Sequence, residues 1–170
     1  MRHRRLARER AVQFLFQYDL NIPTDKDEAL DKFWASQTTA AINDEKKPAS
    51  WGETNELPPP STEDNAVRLF GDKLIRGVLE QIEDLDKIIT KEVKNWDVSR
   101  IAKVDRSILR LAIYEMFYRE DIPPIVTINE AIDIAKKFST EKSGSFVNGI
   151  LDKVKTKLIR PSRTSSNEAR

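Results

Sequence analysis

The stretch VDRSILRLAIYEMFYRED (Val104–Asp121) limits most what this chain can become. Wound as a helix, it carries Ile108, Leu109, Leu111, Ala112, Ile113, Met116 and Phe117 around most of its circumference. A helix apolar on nearly every side must be packed on by others, so it predicts a central helix inside a helical shell. The shell is legible too. Residues 4–20 place Ala7, Ala11, Phe14, Leu15 and Tyr18 at steps of three and four, and Asn21 and Pro23 end the run. A shorter helix over 25–35 carries Ala29, Leu30, Phe33 and Trp34. Val67, Phe70, Leu74, Val78, Ile82, Leu85 and Ile89 form one stripe, predicting a single long helix of about seven turns. Ser61 can cap it, with Glu63 and Asp64 at the positive end of its dipole.

After a turn around Asn95–Arg100 and the central helix, Pro123 and Pro124 break the chain. TINE (Thr127–Glu130) then reads as a capping box, followed by Ile128, Ala131, Ile132, Ala135 and Phe138 at helical spacing. No strand-like alternation is present. The expected fold is all-α, about seven helices. Two segments fall outside the pattern. Ser36–Asp64 has no period and four prolines, too polar to bury itself, and reads as a flexible insertion inside one domain spanning 1–160. Residues 161–170 read as a loose tail.

Composition removes several function classes. With 0 Cys and one His, His3 near the chain start, a thiolate nucleophile, a His-based triad or a zinc site is not expected. The carboxylates lie beside Lys or Arg on amphipathic faces, so no catalytic constellation, cofactor or small-molecule substrate is expected. No apolar run approaches the roughly 20 residues of a membrane span. The missing cysteines fit a cytoplasmic protein.

Two motifs remain. EKSGSFVNGILDKV (Glu141–Val154) has P-loop glycine spacing at Gly144 and Gly149, but Ile150 and Leu151 stand where Lys and Ser/Thr belong. Phe146, Val147, Ile150, Leu151 and Val154 step helically, so the stretch is a helix capped by Ser143 or Ser145. Its small residues, taken alone, favour close helix packing. The start, MRHRRLARER, sets five arginines against Glu9 in a chain of net charge +1. A solvated face competes here with an RNA-binding arm. Cations at a helix N-terminus oppose the dipole, and arginine suits bidentate phosphate contacts.

RLARERAVQFLFQ, the central stretch and VTINEAIDIAKKFSTEKSGSFVNGILDKV together resemble the NusB family of bacterial transcription antitermination factors, over residues 4–35 and 64–158 in order. The resemblance implies two packed three-helix bundles and no catalysis. It implies pairing with NusE, a ribosomal small-subunit protein, on the boxA element of nascent single-stranded ribosomal RNA, and through it an indirect link to the RNA polymerase elongation complex. By position, the RNA surfaces would be Arg2, Arg4, Arg5 and Arg8, with Lys142, Ser143, Gly144, Ser145 and Phe146. Asp105 and Glu115 would face NusE, with Asp105 exposed. Ser145 stands where many members have a basic residue, and Ser36–Asp64 is longer than the usual connector. Two other roles stay open. An RNA-methyltransferase accessory domain would come with an attached catalytic domain bearing a Gly-rich cofactor loop, and these residues carry no such loop. A helical adaptor would show no salt-dependent RNA affinity.

Overall fold

The structure, a computed structural model, describes residues 2–38, 61–93 and 101–158. The turn expected at Asn95–Arg100, most of the insertion and the tail lie outside these residues. Among these residues seven helices follow in order: α1 (Arg2–Leu20), α2 (Lys26–Ser36), α3 (Thr62–Glu80), α4 (Ile82–Glu92), α5 (Lys103–Tyr118), α6 (Pro124–Phe138) and α7 (Glu141–Lys155). No strand occurs among the described residues, so the all-α expectation holds.

Helix α5 is the centre, packed against α1, α3, α4, α6 and α7. Its apolar girdle explains this: Ile108, Leu109, Leu111, Ala112, Ile113 and Met116 are all buried. The girdle stops one turn early, for Phe117 and Tyr118 are 39% and 44% exposed. On the far side of α1, Phe14 meets Phe33 of α2 edge-on at 5.3 Å. Trp34 closes over α3 where Gly71 leaves room, since a Cβ there would lie 2.6 Å from the Trp34 ring.

Two expected elements differ. The single long helix over Ser61–Ile89 is two helices, parted at Gln81, whose N–H is shared between the carbonyls of Gly77 and Val78 at 3.2 Å each. Leu74, Val78, Leu85 and Ile89 stay buried across the break, so the apolar stripe runs on in phase. The capping box at Thr127 does not form either. Helix α6 already starts at Pro124, with Pro123 as its cap residue and no side-chain cap bond. Proline's fixed φ suits the first helical position, where its missing N–H costs nothing. Thr127 is thereby one turn inside, buried, with its hydroxyl donating to Glu115 Oε1 at 3.3 Å.

Candidate nucleic-acid interface

The arginine-rich start of α1 divides by helical face. Arg8 points inward and is 4% exposed. Its Nε and Nη2 donate to both carboxylate oxygens of Glu115 on α5, at 2.8–3.1 Å. Glu115 is 1% exposed. The Arg8 guanidinium also lies 5.3 Å from the Phe70 ring centroid, with Arg4 at 4.9 Å and Arg119 at 5.4 Å. Arg119 in turn donates to Asp121, which holds that carboxyl below the ordinary carboxylate range.

Arg5, one turn earlier, points outward and leans on α6. Its Nε donates to Glu130 Oε2 at 2.9 Å, and its Nη2 to Glu130 Oε1 at 3.1 Å and Asp133 Oδ2 at 2.9 Å. Further along the same seam, Lys137 of α6 donates to Glu9 at 3.0 Å. Arg2 is exposed and Arg4 half-buried. These pairs change the reading of the arm. The cost of placing cations at a helix start is offset within the molecule, by carboxylates on α5 and α6, so RNA is not needed to explain them.

The tip of α7 is capped by Thr140, not by Ser143 or Ser145. The Thr140 hydroxyl oxygen accepts the Ser143 N–H at 3.1 Å. Ser143 is buried and its hydroxyl donates to Asp105 Oδ2 at 3.1 Å. It lies 2.8 Å from Ser139 Oγ and accepts from Thr140 at 3.3 Å. Since its one hydrogen serves Asp105, Ser139 must be the donor of their pair. Gly144 is also buried. A Cβ there would sit 3.1 Å from Lys136 Cγ, so the missing side chain admits the lysine stem of α6. Lys142 and Ser145 are exposed, and Phe146 is half-buried against the core.

Several expected contact residues are therefore beneath the surface: Arg8, Ser143, Gly144, Asp105 and Glu115. Asp105, expected to be exposed, is 7% exposed because the first turn of α7 covers it. Its Oδ1 has no hydrogen-bond partner among the described residues. Burial pushes its pKa up, and the Ser143 hydrogen bond only partly opposes this. The residues not expected at the site are those of α6, where Glu130 reads in the sequence only as a capping-box partner. Glu130, Asp133 and Lys137 face α1, and Lys136 lies over α7. Their i, i+3, i+7 spacing was the available signal. Both candidate RNA surfaces thus rest on one helix. Among the described residues no His, Asp or Glu cluster could hold a metal ion, and no helix is long and apolar enough to cross a membrane.

Comparison with known proteins meets this arrangement over nearly its whole length. The model of the NusB family matches residues 5–156. The transcription antitermination protein NusB of Geobacter sulfurreducens is 42% identical over 155 residues, 91% of this chain and 95% of that protein. Its Bacillus subtilis counterpart is 40% identical, covering 91% and 96%. Among solved structures, T. maritima NusB superposes with a TM-score of 0.67 at 31% identity, covering 92% of this chain and 93% of that one. A structure of NusB and NusE with double-stranded RNA shares the fold, with a TM-score of 0.66 at 24% identity over 91% and 96% of the two chains.

Proposed function

The chain belongs to the NusB family, and from that premise we propose that it is a non-catalytic antitermination factor of the cytoplasm. It binds boxA-like single-stranded RNA together with NusE and reaches the elongation complex through them. The observation that carries this is the pairing of two candidate RNA surfaces on α6 in a chain whose fold is shared by a protein seen with NusE and RNA. The residues divide by depth. Arg2, Arg4, Arg5, Lys142, Ser145 and Phe146 reach solvent at least in part and form the RNA-facing layer. Arg8, Ser143 and Gly144 hold that layer in place from below. Asp105 and Glu115 support the NusE side in the same indirect way, by fixing the two ends of α5 against α7 and α1.

The test is RNA binding measured with and without NusE, at two salt concentrations. The expected result is an affinity that rises with NusE and falls with salt, because phosphate contacts release counterions. A chain that binds NusE yet never binds RNA is the adaptor of the alternative reading. One that binds neither has a different role.

A further inference from the structure

The Arg5 cluster is unbalanced. One guanidinium, half-exposed, meets two carboxylates, where Glu130 alone already supplies the bidentate geometry that a fork-shaped cation needs. Glu130 is 18% exposed and locked by two bonds. Asp133 is 51% exposed and adds a single bond to the Nη2 that Glu130 also uses. The second carboxylate is thus not required to orient Arg5, and it leaves the cluster net negative at the surface where an RNA backbone would approach.

We propose that Asp133 acts as an intramolecular stand-in for phosphate, occupying Arg5 and restraining the sequence-independent part of RNA affinity. This rests on the RNA reading above and assigns a role to a residue outside the arm and the tip. A phosphate reaching Arg5 must displace the Asp133 carboxylate or share Nη2 with it. Backbone attraction at the arm is therefore weaker than its arginine count implies. Any RNA without favourable base contacts is held less tightly.

The experiment uses the full chain and a short oligouridylate, a probe of backbone attraction, in anisotropy titrations at about 50 and 200 mM salt. Variants are Asp133→Asn, Arg5→Ala and the double variant, with boxA-like RNA plus NusE as the reference for the wild type. Asp133→Asn should bind oligouridylate several-fold more tightly at the lower salt. Its log–log salt slope should steepen by roughly 0.7, the value of one single-strand phosphate contact, so the gain shrinks about threefold at the higher salt. In the Arg5→Ala background the same substitution should give no such gain. Unchanged or weaker binding by Asp133→Asn overturns the inference. So does an equal gain without Arg5, which would mean that Asp133 repels RNA by itself. Failure of the wild type to bind boxA-like RNA with NusE instead overturns the RNA reading, a separate result.

Discussion

Arg5 and Arg8 lie three residues apart on one helix, are the same amino acid, and each makes a bidentate bond to a glutamate. Their surroundings differ. Arg8 and Glu115 are sealed between α1, α5 and α6, whereas Arg5 meets Glu130 at the open edge of the α1–α6 seam. In the sealed site water cannot replace a lost partner, so the pair is part of the fold. At the edge, water and salt compete for both charges, so the pair can open without unfolding anything. Residue type marks neither as structural or functional. Depth does.

The comparison breaks first, if at all, at Arg8. Arg8→Met leaves Glu115 buried without its cation and should cost about 3–5 kcal/mol. At about 2–4 °C per kcal/mol for a chain of this size, the melting temperature should fall on the order of 10 °C. Pairing it with Glu115→Leu should recover most of that loss, because the buried charge goes too. A single variant that melts like wild type removes the distinction between the two arginines.

Phe146 tests the middle ground, being half-buried at the tip of α7. A fully buried Phe cut to Ala costs ~3–5 kcal/mol, so Phe146→Ala should lose roughly half of that in thermal melts. It should also weaken RNA binding through lost stacking, by about 1–3 kcal/mol. A full core-sized loss with normal RNA binding assigns Phe146 to the fold alongside Arg8.

Asp105 sharpens the role of depth through pH. Burial raises its pKa in the folded chain, so the folded state holds this proton more tightly than the unfolded one. Its contribution to stability therefore declines as pH rises from the ordinary carboxylate range through the raised value. Asp105→Asn carries no such proton and keeps an acceptor for Ser143. The melting temperature of the variant minus that of wild type should grow as pH rises through that window, by less than the Arg8 effect. A difference flat in pH argues that the carboxylate is solvated.

The smallest stability effect belongs to Arg5. Arg5→Ala should change stability by no more than about 1 kcal/mol. It should nonetheless flatten the salt slope by roughly 0.7 for boxA-like RNA with NusE, whose base contacts let a phosphate displace Asp133. The oligouridylate slope should stay nearly unchanged from wild type. A large melting shift would place Arg5 with Arg8 after all.

The helices and most of the core could be read from spacing, because burial imposes a periodicity that the residues must obey. The break at Gln81 could not: Val78 and Leu85 hold the same stripe on either side, and no Pro is present. Gly77, one turn earlier, is explained by the Tyr114 ring packed where its Cβ would be. Thr127 misled for a related reason. TINE has the composition of a capping box, but Pro124 starts the helix earlier and turns Thr127 toward Glu115. The site was legible as an inventory of residues and not as a set of layers. Arg8 and Arg5 look alike in sequence, and the glutamates that separate their roles lie 107 and 125 positions away.

That separation also orders events during synthesis. Arg8 is made 107 residues before Glu115. At about 5–20 residues per second, the partner follows some 5–20 s later. Until then the first helix carries its arginines without the carboxylates that will hold them. The ribosome supplies the cation first and the lock last, so α1 takes its final seat only when the central helix has emerged.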